Sequence, residues 1–196
     1  MIIVFLFLIS MNITKSEDII IDSDMTFAQS IKGTKAPKNL IDSLVLVDVE
    51  YYSFDGKLHR GQIVINKSIE SHIKKVFEII RETKFPIGKV IPIVRYNWDD
   101  NKSMEDNNTS AFNYRFIAGT ERLSNHSFGR AIDINPKYNP VDYLDGRISP
   151  ENGERDVKRN GTFTQENEIV KYFKNNNFRW GGDWTTLKDW HHFDRP

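Results

Sequence analysis

The sequence predicts an α+β domain in which a small antiparallel sheet is flanked by helices. Three observations point there. A β-rich run at 44–52 is joined through the tight-turn dipeptide Asp55-Gly56 to a second apolar run at 61–65, which reads as a hairpin. Two stretches, 68–83 and 165–177, carry apolar residues at three- and four-residue steps and read as helices with one buried face. A short alternating run, Ala131-Ile132-Asp133-Ile134, reads as a strand with two isoleucines on one face and a carboxylate on the other.

With 196 residues, 39% of them hydrophobic and 12% aromatic, the chain has enough apolar surface for one globular core plus a leader or arm. Acidic and basic side chains balance at 27 each, and no basic run gathers phosphates, so no nucleic-acid partner is expected, which also argues against a metal-dependent nuclease. No phosphate-cradling glycine loop is present, which excludes nucleotide chemistry. The chain has no cysteine, so any metal must sit on histidines and carboxylates. A monomer is expected.

Taken in order, residues 1–16 contain an apolar run of signal-peptide length and read as a signal peptide or membrane anchor, although no lysine or arginine precedes the run. Residues 17–43 are polar, with Gly33 and Pro37, and read as a linker or short helical arm. The folded domain is expected over 44–196. After the hairpin, Ser68 or Ser71 offers an N-cap, and Ile69, Ile73, Val76, Phe77 and Ile80 form the buried face of the first helix. Residues 90–94 read as a short strand or extended segment, with Pro92, which cannot donate to a ladder, placing it at an edge or a bulge. Residues 99–113 read as a polar loop rimming a site, and 112–116 as a strand that delivers Arg115 toward it. Asn135-Pro136 and Asn139-Pro140 end the strand that carries Asp133, and 151–164 is a loop. Thr164 is the expected cap of the second helix, and Ile169, Val170 and Phe173 are its apolar face. Trp180 and Trp184, on either side of Gly181-Gly182, suit core packing and a cleft wall equally well.

The chemistry concentrates in two stretches. Ser124 to Asp133 contains His126 and Asp133, with Gly129 allowing a tight turn between them, and Asp189-Trp190-His191-His192-Phe193 adds two imidazoles and a carboxylate. An open catalytic zinc site takes three ligands from His, Asp or Glu and leaves a fourth position free, and His126, Asp133 and His192 supply such a set. Adjacent strand residues point to opposite faces, so only one of His191 and His192 can face the metal. Asp189 remains as a general base, and the permanently cationic Arg115 suits an oxyanion or a bound carboxylate, with a surface ion pair as its alternative.

These motifs resemble a family of zinc peptidases of peptidoglycan, the D-alanyl-D-alanine carboxypeptidases and L-alanyl-D-glutamate endopeptidases. Its Ser-x-His-x-x-Gly-x-Ala-x-Asp pattern is matched by Ser124 to Asp133, and its Asp/Glu-x-x-His-Phe pattern by Asp189 to Phe193. The runs at 108–115, 133–136 and 180–184 are similar to the endopeptidase branch. The resemblance covers about 51–193 and implies a hedgehog-like fold, a Zn²⁺ cofactor, peptidoglycan stem peptides as substrates and attack by a metal-activated water with Asp189 as base. Its base-to-ligand spacing favours His192 over His191 as ligand. With the apolar leader it implies a secreted or cell-envelope protein. Carboxypeptidase and endopeptidase share ligands and base, so the motifs leave the bond cut open. An inactive zinc-containing binding module of the same fold is the alternative, and the presence of Asp189 and Arg115 argues against it.

Overall fold

The computed structural model describes residues 18–196. The apolar run proposed as a leader lies outside these residues. Among the described residues no helix is long and apolar enough to cross a membrane.

The chain builds outward from one long hairpin. Strands β2 (Leu44–Tyr52) and β3 (Leu58–Asn66) pair antiparallel in unbroken register from Leu44 opposite Asn66 to Tyr52 opposite Leu58. The polar segment before them is packed along this hairpin. Its strand β1 (Ile20–Ile21) pairs parallel with β3. Its helices α1 (Phe27–Ser30) and α2 (Lys38–Ile41) bring Phe27, Ile31, Ala36 and Ile41 against Leu44, Val64 and Phe112.

Past the hairpin a 3-10 turn at Lys67–Ile69 leads into α3 (Glu70–Glu82). Asn66 caps the 3-10 turn, its Oδ1 accepting from the Ser68 amide at 3.0 Å, and α3 itself has no side-chain cap, where the sequence suggested Ser68 or Ser71. Ile73, Val76, Phe77 and Ile80 are the buried face of α3, as their spacing requires. The second long helix, α5, is shorter than its periodicity suggests. It runs Glu168–Asn175 and is capped by Asn167 rather than Thr164, with Ile169, Val170 and Phe173 buried.

The middle of the chain departs most from expectation. Strand β4 stops at Lys89–Val90, and Pro92 opens a 3-10 turn at Ile93–Tyr96 instead of continuing a strand. The expected polar loop holds a helix, α4 (Asp100–Glu105), capped by Asp99, and a two-residue strand, β5 (Asn108–Thr109), parallel to β4. Residues 112–115 are extended but unpaired as a strand, and Phe116 makes a lone bridge to Leu123. The Phe112 amide donates instead to the Val64 carbonyl on β3, and the backbones of Asn113 and Arg115 bond to the segment that carries His126.

The C-terminal half forms two small antiparallel sheets. In one, β6 (Ala131–Asp133) and β9 (Arg179–Trp180) flank β11 (His192–Asp194). In the other, β7 (Val141–Asp142) lies between β8 (Ile148–Ser149) and β10 (Lys188–Asp189). The architecture is therefore α+β. Strand alternation splits the first sheet. Ile132, Phe193 and Trp180 turn to the core, where Phe193 stacks on Phe173 at 4.4 Å and on Trp180 at 6.2 Å. Burying a side chain of this size contributes roughly 1.5–3 kcal/mol, which ties α5 to the sheet from behind. Asp133 and His192 turn the other way.

Candidate metal centre

Asp133 and His192 face each other directly across the β6–β11 pair. Residues opposite one another in an antiparallel ladder have Cβ atoms about 4.5–5.5 Å apart, so the register alone brings the two side chains together. His192 Nδ1 lies 2.9 Å from Asp133 Oδ1.

His126 arrives from a 3-10 turn at Asn125–Phe128, capped by Ser124, whose hydroxyl accepts from the His126 amide at 3.3 Å. Gly129 closes the turn at φ +64, and a Cβ there would stand 2.7 Å from the Asn66 amide nitrogen. Only glycine meets both demands. His126 Nε2 then sits 3.2 Å from His192 Nδ1 and 3.1 Å from Asp133 Oδ2.

These separations have the size a metal site needs. Tetrahedral bonds of ~2.0–2.1 Å place ligand atoms about 3.3 Å apart. The three residues are 2%, 3% and 8% exposed for His126, Asp133 and His192, and they form a group able to hold a metal ion.

The surroundings fix which atoms face inward. His126 Nδ1 is 2.5 Å from the carbonyl of Ala111, which can only accept, so Nδ1 carries a proton and Nε2 is the nitrogen that faces Asp133 and His192. His192 Nε2 lies 3.6 Å from Asp194 Oδ2, and Asp194 is in turn bound by Arg179 and Asn125. Burial opposes charge on His192, yet its bonds to Asp133 and Asp194 outweigh this and push its pKa up to about 10. Burial likewise works against the Asp133 carboxylate, and the charges of His126 and His191 hold its pKa well below the usual range. A buried carboxylate so placed requires a cation beside it, either an imidazolium or a metal ion.

His191 points to neither Nδ1 of His192 nor Nε2 of His126. Its Nδ1 donates to the Asn139 carbonyl at 2.7 Å, and its Nε2 lies 3.0 Å from Asp189 Oδ1 and 3.9 Å from Asp133 Oδ1. Asp189 stands at the end of β10, three residues before β11 begins at His192. Its Oδ1 is buried, and its pairing with His191 is not aligned as a hydrogen bond.

Arg115 is held near the site through its backbone: its amide donates to Ser127 Oγ at 2.9 Å, and Ser127 Oγ donates to the Arg115 carbonyl at 2.7 Å. Its guanidinium is engaged elsewhere, 2.7 Å from Asp100 Oδ2 at the start of α4, while Nε is buried without a hydrogen-bond partner. The structure thus brings His126, Asp133 and His192 together, sets Asp189 and His191 alongside, and gives Arg115 an acidic partner instead of a direct link to the three. Trp184 packs at 5.4 Å, tilted, against His192, on the wall side of the sequence alternatives. A surface cavity of about 480 Å³ lies between α4 and the β7–β8 hairpin, lined in part by Asn101, Tyr143 and Arg147, and none of the three clustered residues borders it.

Sequence reasoning passed over Ser127, Asn139 and Asp194. Asn135 and Asn139, expected only to end a strand, are fully buried, and their amides bind Pro86, Gly161 and Phe163. Two asparagines before prolines inside an apolar stretch were the available signal.

Residues 118–195 match a family model described as D-alanyl-D-alanine carboxypeptidase. Over this segment the chain is similar to that peptidase family. The matched residues hold His126, Asp133, Asp189 and His192, and Arg115 lies before them. No curated protein and no solved structure matches the chain.

Proposed function

We propose that this chain is a zinc metallopeptidase that hydrolyses peptide bonds of peptidoglycan stem peptides, as a D-alanyl-D-alanine carboxypeptidase or an L-alanyl-D-glutamate endopeptidase. The observation that carries the reading is the buried convergence of His126 Nε2, Asp133 and His192 Nδ1, beside a carboxylate oxygen of Asp189 that no donor satisfies. The family match over the same residues supports it. A fold shared with hedgehog-type domains, and a position outside the cytoplasm directed by the apolar run at 2–11, complete the proposal.

His126, Asp133 and His192 would hold the ion. Zinc bound there supplies a Lewis acid that polarises the scissile carbonyl and makes water a better nucleophile near neutral pH. The other roles fall to the chain itself. Asp189 accepts the proton of the water that attacks the carbonyl carbon, then returns it to the amide nitrogen as the C–N bond breaks. His191 and the paired backbone of β10 keep that carboxylate in place. Ala111 and Asp194 fix the imidazoles of His126 and His192. Arg115 supports the developing oxyanion or a substrate carboxylate, exchanging its Asp100 partner for the substrate.

Mass spectrometry of muropeptides digested by the purified protein, with and without chelator, tests the proposal. Loss of a terminal D-Ala supports the carboxypeptidase, and a product beginning at D-Glu supports the endopeptidase. Unchanged muropeptides in the presence of zinc would overturn it.

A further inference from the structure

Gly181 begins the 3-10 turn that follows β9, and its φ is outside the left-handed region. The backbone conformation therefore does not demand glycine. Space does. A Cβ built on Gly181 would stand 2.4 Å from the carbonyl oxygen of Asp189, 2.7 Å from its Cβ and 3.2 Å from its carbonyl carbon. All three of the nearest atoms belong to Asp189. The neighbouring Gly182 is tight for a different reason: a Cβ there would meet the Trp180 ring at 2.5 Å.

Asp189 is thus bounded on three sides. Its backbone pairs with Val141, and its Oδ1 is 3.0 Å from His191 Nε2. On the third side the limit is the bare Cα of Gly181. Lys188 Nζ donates to the Gly182 carbonyl at 3.1 Å and pins β10 against the same turn.

We propose that Gly181 is a positioning residue: the missing side chain lets β10 approach the turn and sets where the Asp189 carboxylate stands relative to His126, Asp133 and His192. The inference rests on Asp189 acting as the general base. Relieving a 2.4 Å contact to the 3.4 Å of an ordinary van der Waals approach moves the Asp189 backbone by about 1.0 Å. A displacement of ~1 Å in a catalytic group is enough to cost about 10²-fold in rate. None of the three clustered residues lies among the atoms that a Cβ at 181 would meet first.

Gly181→Ala tests this. Its crystal structure, solved without metal, should show Asp189 moved by about 1 Å with His126, Asp133 and His192 where they were. Zinc content should stay stoichiometric, kcat should fall by about 10²-fold and KM should change little. Adding Asp189→Glu to Gly181→Ala should recover part of kcat, because one more methylene offsets the retreat of the strand, a rescue that a general loss of folding would not show. In the otherwise native chain the same Asp189→Glu change should lower kcat, and that arm stands even where Gly181→Ala does not fold. Native kcat in Gly181→Ala, an unmoved Asp189, loss of zinc, or full activity of Asp189→Glu alone would each overturn the proposal. A native protein that releases nothing from peptidoglycan counts against the peptidase reading, and the metal-free structure of Gly181→Ala still decides whether Gly181 places Asp189.

Discussion

Asp189 Oδ1 lies 3.0 Å from His191 Nε2, and between these two residues falls the division of labour in the Asp189-Trp190-His191-His192 run. His191 has its other nitrogen on the Asn139 carbonyl and is turned toward the base, whereas His192 is turned toward Asp133 and His126.

From this follows a test by metal content. His126→Ala, Asp133→Ala and His192→Ala should each lose bound zinc, because three ligands are the minimum for an open site. His191→Ala should retain zinc and lose rate, since it removes the neighbour of Asp189 and none of the three proposed ligands. Metal analysis of the four purified variants reads this directly, and zinc retained in His192→Ala but lost in His191→Ala would reverse the assignment.

Arg115→Ala should keep its zinc and lose about 10²-fold in kcat, the usual effect of removing one donor to an oxyanion. Asp100→Asn frees the guanidinium and should alter KM more than kcat. A normal kcat in Arg115→Ala would reduce this residue to an ion pair that holds α4.

Much of the site was legible because its signals are local. The period-two pattern around Asp133 correctly placed Ile132 and Ile134 in the core, and the three- and four-residue steps correctly placed the buried face of α3. What the sequence hid depends on contacts between distant parts of the chain. Helix α4 buries only Ser103 and Met104, too little to leave an apolar period. Residues 112–115 looked like a strand because aromatic and β-prone residues alternate there, but their amides and carbonyls are taken by Val64, His126, Ser127 and Ser124. Asn139, 52 residues from His191, carries no local sign that its carbonyl orients that ring. The crowding of Gly181 by Asp189 is equally invisible without coordinates.

Stability should fall in alkali through the tyrosines. Burial first, then the hydrogen bond to Asp22, raises the pKa of Tyr51, and burial and Asp106 do the same for the less buried Tyr96. A folded pKa above the unfolded value of about 10 means that the contribution is complete below pH ~10 and is lost as pH rises beyond it. For the fully buried Tyr51 the slope approaches 1.4 kcal/mol per pH unit. Urea unfolding between pH 9 and 11 should show the decline. Tyr51→Phe should start lower by roughly 1–3 kcal/mol, because the Val90 amide loses its acceptor, and should decline less steeply. Equal slopes in the two proteins would contradict this account.

The measurement that bears most directly on the central claim is zinc content and turnover of Asp189→Ala, determined on the same preparation with peptidoglycan as substrate. A general base that does not touch the metal should leave zinc near one per chain while turnover falls by roughly 10²–10⁴-fold. Near-native turnover, or loss of the zinc, would contradict the assignment and return Asp189 to a structural role.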